Sequence, residues 1–229
     1  MVDIESGNDF SYDYILTPAI LGMLPADAGS AHVLDIGCGV GALSRTVAPL
    51  VESLVGVDPS IRSIEIAKSR TQRSGLSNIR WLGMDVESFA AASRQSDRLF
   101  DIAIANMTLM NTVDLAAALV ATASLCRKGA KLLWTITHPC FWSVYWGYNE
   151  APWFDYKKEI WIEAEFKTST TKAGTNTTHI HRPLEKYLHN FTMSGYSLIE
   201  LREPMPEVVD GPQLEWPFPR FLAGSCVLV

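Results

Sequence analysis

Residues 33–44 read Val33-Leu34-Asp35-Ile36-Gly37-Cys38-Gly39-Val40-Gly41-Ala42-Leu43-Ser44. They are the part of the sequence that indicates the fold most directly. It opens as an apolar, β-branched run, which is typical of a buried parallel strand. Three glycines follow on alternate residues, and the apolar positions Leu43, Val47 and Leu50 then recur at helical spacing. The stretch therefore predicts a strand, a glycine turn and a helix. A ligand can approach such a turn closely and meet the free N–H groups at the helix start.

Two classes of ligand fit this loop: dinucleotides and S-adenosylmethionine. Gly37, Gly39 and Ala42 match the dinucleotide pattern G-x-G-x-x-A, so the glycine spacing alone does not choose between them. Asp35 discriminates, because a carboxylate repels a pyrophosphate but suits a ligand that carries an ammonium and a sulfonium. The stretch closely resembles the first motif of class I S-adenosylmethionine-dependent methyltransferases, which typically reads V-L-D-I-G-C-G-x-G. The resemblance implies that Asp35, Gly37, Cys38 and Gly39 bind the cofactor S-adenosylmethionine.

A second acid follows the next predicted strand, in the pair Asp58-Pro59, and lies 21 positions after Gly37. A carboxylate accepts two hydrogen bonds, which suits a ribose with two free hydroxyls. NAD and S-adenosylmethionine both present such a ribose, so Asp58 does not choose between them. A third acid, Asp85, ends the third predicted strand. The resemblance implies that Asp85 accepts from the adenine amino group and that Val86 lies against the ring; the alternative is an acid that only caps the next segment.

The alternation of strands and helices predicts one α/β domain over residues 1–229, a doubly wound, Rossmann-like sheet. In the resembled fold two C-terminal strands close a seven-stranded sheet of order 3-2-1-4-5-7-6, whose last strand is antiparallel. The predicted strands are 33–36, 53–58, 79–85, 100–106, 131–139, 196–202 and 221–229, and the main predicted helices are 42–50, 61–74, 114–126 and 183–194. Polar or glycine residues end five of the strands and form one rim: Gly37, Asp58, Asp85, Asn106 and His138.

Residues 140–182 interrupt this core and are dense in aromatic side chains. They predict an aromatic loop and then a β-hairpin, because apolar positions alternate from Ile160 to Phe166, with a turn at 172–175. We interpret the segment as a substrate lid; a satellite hydrophobic cluster or a dimer contact is the alternative. The candidate substrate-binding residues are Phe141, Trp142, Tyr145, Trp146 and His181 from the segment, with Tyr12 and Tyr14 from an N-terminal helical stretch.

The composition of the chain argues against several classes of binding partner and site. The net charge of −6 argues against a general binder of nucleic acids or anionic membranes. The four cysteines form no C-x-x-C and no metal-ligand spacing, so no metal site is predicted. The polar, acidic N-terminus and the lack of an apolar run of about 18 residues predict a cytoplasmic protein with no signal peptide or membrane span. We expect a monomer or homodimer.

His138 is the first candidate for a general base, since it ends the fifth predicted strand. The alternative is that a histidine before a proline only orients the chain. The sequence as a whole predicts methyl transfer from S-adenosylmethionine to an oxygen or nitrogen of a small molecule. A nicotinamide-dependent oxidoreductase and a non-catalytic S-adenosylmethionine-binding protein are the alternatives.

Overall fold

The computed structural model describes residues 10–93, 100–167, 172–206 and 216–229. The strands are β1 (His32–Ile36), β2 (Ser53–Val57), β3 (Ile79–Leu82), β4 (Phe100–Asn106), β5 (Cys126–Thr137), β6 (Ile160–Lys167), β7 (Lys172–His181), β8 (Tyr196–Arg202) and β9 (Phe221–Leu228). Seven of these strands form one sheet of order β3-β2-β1-β4-β5-β9-β8, and β6 and β7 form a separate hairpin. Strands β1 to β5 are parallel, and β9 is antiparallel to both neighbours. The order predicted from the sequence is confirmed once the hairpin strands are counted apart.

Helices cover both faces of the sheet. Ser60, Asp85 and Asp114 each cap a helix by accepting from the backbone N–H three residues further on. These caps lie just beyond parallel strands, so the helices begin at the edge where the strands end. The helices are α1 (Thr17–Leu21), which continues a wider turn over Tyr12–Leu16, α2 (Ala42–Val47), α3 (Ile61–Ser74), α4 (Val86–Ala92), α5 (Leu115–Leu125), α6 (Trp142–Trp146) and α7 (Leu184–Met193).

The central strands are buried on both faces, so successive residues enter different cores. Leu34 packs in a cluster with Leu119 and Phe191 from α5 and α7. Its neighbour Val33 packs in a second cluster with residues of α1 and α2, such as Leu43. Each such side chain contributes about 1.5–3 kcal/mol when it is fully buried. The sheet is therefore held rigidly between two layers, and its strand ends are fixed.

Several predicted boundaries are wrong, among them the end of the third strand, which is Leu82 and not residue 85. Helix α5 ends at Leu125 and β5 begins at the next residue, so no loop separates them. The extra residues of β5 were missed because exposed Arg127 and Lys128 break the apolar pattern. The turn expected at 172–175 is also wrong, since Lys172 already pairs with Lys167 across the hairpin. The connecting residues 168–171 lie outside the described residues.

Within the described ranges, no helix is both long and apolar enough to cross a membrane. In the same part of the chain, no three His, Cys, Asp or Glu side chains are grouped so that they could hold a metal ion.

Candidate cofactor site

A cavity of about 490 Å³ lies at the carboxyl ends of β1, β2 and β4. This is the place where open parallel sheets bind their ligands. The loop that follows β4 closes one side of the cavity, through Met107, Thr108 and Leu109. Five of the residues predicted to bind the cofactor line the wall: Gly37, Asp58, Pro59, Asp85 and Val86.

The glycine loop is shaped by close contact with the loop after β4. Gly37 has a φ of +65°, and a Cβ added there would lie 2.5 Å from the side chain of Thr108. The Thr108 hydroxyl donates to the carbonyl of Ile36 at 2.9 Å, which ties the ends of β1 and β4 together. A side chain at position 37 would push these two strand ends apart, so glycine is required there.

Asp58 connects the glycine loop to the second strand. The N–H of Gly39 donates to Oδ2 of Asp58 at 2.9 Å, and the N–H of Ser60 donates to Oδ1 at 2.8 Å. Each carboxylate oxygen can accept a further hydrogen bond, and Asp58 is only half-buried at the cavity wall. The same carboxylate therefore holds the glycine loop in place and offers acceptors to a ligand.

Asp85 is exposed and also lines the cavity, beyond the end of the neighbouring strand β3. The Ser88 N–H donates to Oδ1 of Asp85 at 2.7 Å. Hydrogen bonds from Ser88 hold the pKa of Asp85 below its ordinary value, so the group stays ionised and accepts hydrogen bonds. Val86 is buried beside it and adds an apolar surface. Capping and cavity lining, which the sequence presented as alternatives, are combined in one residue.

Comparisons with known proteins agree with this site. The family model described as "Methyltransferase domain" matches residues 33–129. Over these 97 of its 229 residues, which include the glycine loop, Asp58 and Asp85, the chain is similar to methyltransferases. The ubiquinone biosynthesis O-methyltransferase of Rhizobium etli is 35% identical over 98 residues, which are 43% of this chain and 38% of that protein. That of Cereibacter sphaeroides is 33% identical over 102 residues, or 44% and 39% of the two chains. The alignments thus span about two fifths of the length of these curated relatives.

Solved structures show that the similarity of fold extends over nearly the whole chain. An S-adenosylmethionine-dependent methyltransferase from Mesorhizobium loti has a TM-score of 0.67 at 19% identity, covering 95% of this chain and 97% of that one. The N-methyltransferase NodS of Bradyrhizobium japonicum, in complex with S-adenosyl-L-homocysteine, has a TM-score of 0.63 at 16% identity, covering 99% and 95%. S-adenosyl-L-homocysteine, which the NodS structure holds, is the demethylated form of S-adenosylmethionine. The two carboxylates, the glycine loop and the apolar wall fit its hydroxyl, amino and ring groups.

Four of the predicted cofactor residues lie outside the cavity wall: Asp35, Cys38, Gly39 and Asn106. Asp35 is only 2% exposed beneath the glycine loop, where the Ser44 hydroxyl donates to it. Burial raises the pKa of Asp35 to about 7, and the hydrogen bond from Ser44 acts in the opposite direction. Cys38 packs against Trp81 and Ile64, and Asn106 accepts from the Thr135 hydroxyl at 2.5 Å. In this geometry these residues support the site from behind, and their contact with the cofactor stays a prediction.

His138 lies away from the cavity that would hold the reacting methyl group. It is 2% exposed, and its Nδ1 accepts from the N–H of Cys140 at 3.2 Å. Nε2 therefore carries the proton and donates to Glu203 at 2.9 Å. Burial lowers the pKa of His138, although Glu203 acts in the opposite direction. With both ring nitrogens engaged, His138 has no free lone pair for an acceptor proton, so the structure argues against the base role.

We expect His138→Gln to lower turnover by less than about fivefold, because a positioning residue lacks the 10²–10⁴-fold effect of a general base. The measurement is methyl transfer at saturating cofactor, with the urea midpoint as a check of folding. A loss of about 10²-fold or more in a stably folded variant would restore the base role.

The other predicted substrate residues form two groups: most pack against other aromatic or apolar side chains near Phe221 and the hairpin, and two do not. Trp142 packs against Phe221 and Tyr145, and Trp146 against His179. Phe141 stacks on Phe218, and Tyr12 packs on the apolar cluster that Met107 also joins. The second group consists of Tyr14 and His181. Tyr14 is 65% exposed beside Phe10, and His181 is buried in the hairpin, where its Nε2 donates to the carbonyl of Tyr156 at 3.0 Å.

His179 makes stability depend on pH. Burial and then the nearby His181 lower the pKa of His179 to about 4. The unfolded chain, with a value near 6.5, therefore binds more protons between those two values, and stability falls as pH falls through this window. We expect this histidine alone to account for a loss of about 2 kcal/mol between pH 7 and pH 5. Urea unfolding of wild type and His179→Phe at both pH values tests this; an equal pH dependence in the two proteins would contradict it.

Sequence reasoning missed Arg182, which joins the hairpin to the cavity wall. It is 1% exposed, and its guanidinium donates to the carbonyls of Leu109, Thr112 and Val113 at 2.6–3.1 Å. Its Nε also pairs with Glu159 at 3.1 Å. In the sequence it only precedes the proline before α7, so no local pattern signals that it is buried.

Proposed function

We propose that this protein transfers the methyl group of S-adenosylmethionine to an oxygen or nitrogen of a small-molecule acceptor. The observation that carries the proposal is the cavity at the strand ends, whose wall contains Gly37 and the two carboxylates Asp58 and Asp85. Its volume of about 490 Å³ lies within the usual range of ligand pockets. The carboxylates accept from hydroxyl and amino groups, and Val86 contacts a flat ring.

In this proposal the residues of the chain bind and align the cofactor and the acceptor, and they form no covalent bond with either. When bound, the cofactor supplies a methyl group on a positively charged sulfur, which a nucleophile displaces. Asp58 would accept from the ribose hydroxyls, and Asp85 from the adenine amino group. The loop at Met107 and Thr108 closes the wall toward β4 and β5, where an acceptor would enter. Alignment of nucleophile and methyl group, with water excluded, is the main contribution that such a site makes.

The aromatic segment, residues 140–182, supports a small acceptor. Its hairpin is anchored on the loop after β4, where the N–H of Ile180 donates to the carbonyl of Met110 at 2.8 Å. Leu109 and Thr112 in that loop line the cavity, so the segment stands beside the proposed cofactor. We propose that it is the substrate lid of a single domain. An oxygen acceptor is favoured by the names of the curated relatives, and a nitrogen acceptor by the name of the NodS structure.

Two measurements test the function. Calorimetry should show S-adenosyl-L-homocysteine binding to the purified protein, with no competition by NADH. Mass spectrometry of metabolite extracts incubated with methyl-labelled cofactor should then show a labelled product. NADH binding without a response to S-adenosyl-L-homocysteine would refute the methyltransferase function. If the protein binds S-adenosyl-L-homocysteine but no extract gives a labelled product, a non-catalytic binding protein would be favoured.

A further inference from the structure

The guanidinium of Arg220 lies between two aromatic rings. Its Cζ is 4.0 Å from the ring centroid of Tyr145 and 4.2 Å from that of Trp216. The carbonyl of Arg220 accepts from the N–H of His138 at 2.9 Å, which fixes the residue at the carboxyl end of β5. A guanidinium that contacts aromatic rings in this way still has its planar edge of N–H donors for a ligand.

This edge has no anionic partner in the part of the chain that the structure describes, where no carboxylate forms an ion pair with Arg220. Arg220 is nevertheless partly buried, and desolvation lowers its pKa while Tyr145 acts in the opposite direction. A partly desolvated cation is ordinarily paired with an anion. Among the described residues, the arrangement therefore presents a positive group without a counter-charge.

Two further donors in the same cluster are also unsatisfied. The indole N–H groups of Trp142 and Trp216 are buried and have no hydrogen-bond partner in the described part of the chain. Trp216 is only 6% exposed, and both rings pack on Phe221, with centroids at 5.8 Å and 5.9 Å. Buried donors in folded proteins nearly always have an acceptor. An acceptor from outside the chain would satisfy them together with Arg220.

The cluster adjoins the proposed cofactor site on the acceptor side. Met107 lines the 490 Å³ cavity and packs against the apolar cluster that contains Trp216 and Phe221. Phe221 opens β9, which pairs with the end of β5. Asp58 and Asp85, by contrast, follow β2 and β3 on the other half of the sheet.

We propose that Arg220, together with the indole N–H groups of Trp142 and Trp216, binds the carboxylate of an aromatic acid that is the methyl acceptor. The proposal rests on the function proposed above and adds the class of the substrate. A carboxylate accepts two parallel hydrogen bonds from the guanidinium edge. The surrounding rings bury the aromatic body of the acid and hold it beside Met107.

The test compares two probes on the protein saturated with S-adenosyl-L-homocysteine: 3,4-dihydroxybenzoate and its neutral counterpart 3,4-dihydroxybenzamide. We expect the wild-type protein to bind the acid at least about tenfold more tightly, as hydrogen bonds to a charged group imply. Arg220→Gln should bind both equally. The matched control, Arg127→Gln, should keep the preference, because Arg127 pairs with Asp101 near the start of β5.

The outcomes separate the subsite from the function. If the wild-type protein with S-adenosyl-L-homocysteine bound has equal affinity for the acid and the amide, the proposed carboxylate subsite is wrong, but the proposed function is not affected. This comparison uses only the wild-type protein, so it does not depend on the folding of a variant. A preference that persists in Arg220→Gln would also overturn it. A tenfold loss of S-adenosyl-L-homocysteine affinity in Arg220→Gln would show that the residue holds the cofactor's own carboxylate. Failure of the wild-type protein to bind S-adenosyl-L-homocysteine would refute the proposed function instead.

Discussion

Asp58→Ala is expected to weaken S-adenosyl-L-homocysteine binding by about 100-fold or more. Two losses add up in this variant. The ribose would lose its acceptor, at about 1.5–3 kcal/mol for each hydrogen bond to a charged group. The glycine loop would also lose its anchor, because the N–H of Gly39 donates to Asp58 at 2.9 Å. About 1.4 kcal/mol corresponds to a factor of ten, so the combined effect spans at least two decades.

Calorimetry of the purified variants measures the effect of Asp58. Asp58→Asn keeps one acceptor oxygen and should fall between wild type and alanine. Asp101→Asn is a suitable control, because Asp101 lies at the start of β4 and pairs with Arg127 there. If the affinity of Asp58→Ala for S-adenosyl-L-homocysteine is within about threefold of the wild-type value, Asp58 is important neither as a ribose acceptor nor as the anchor of the glycine loop.

Strand-end residues could be predicted because parallel strands place their carboxyl ends at one edge, whatever the details of packing. Gly37, Asp58 and Asp85 belong to this class: each follows an apolar run directly, and each lines the cavity. The strand order was also accessible, since it follows from the resemblance of one motif and the alternation of elements. Local patterns therefore locate most of the cofactor wall.

Which way a polar side chain points, and what it meets, depends on contacts far away in the sequence. His138 directly follows β5 instead of ending it, and its Nε2 is held by Glu203, 65 residues away. Asp35 has the motif's carboxylate, but the strand's alternation turns it beneath the loop toward Ser44. Arg220 gives no sequence signal, because its site exists only once Tyr145 and Trp216 come together. Such residues are set by tertiary packing, which a single sequence does not display.

Arg182→Met is expected to destabilise the folded protein by about 3–5 kcal/mol, the usual cost of breaking a buried ion pair. The guanidinium is 1% exposed and donates to three backbone carbonyls besides its pair with Glu159. Methionine has a similar length, so the volume is largely kept, but the carbonyls and the carboxylate lose their donors. Arg182→Lys should recover part of the loss, because a single ammonium cannot reach all four acceptors.

Two readouts distinguish this role from general packing. The free energy of unfolding in urea should fall in Arg182→Met and remain unchanged in Arg62→Met, which alters an exposed arginine on α3. Affinity for S-adenosyl-L-homocysteine should also fall, because the carbonyls that Arg182 holds belong to Leu109, Thr112 and Val113 in the cavity wall. Adding Glu159→Gln should cost less in the Arg182→Met background than in wild type, since the pair is already broken. Additive losses, or a destabilisation below about 1 kcal/mol, would mean that the hairpin is held to the cavity wall by its other contacts.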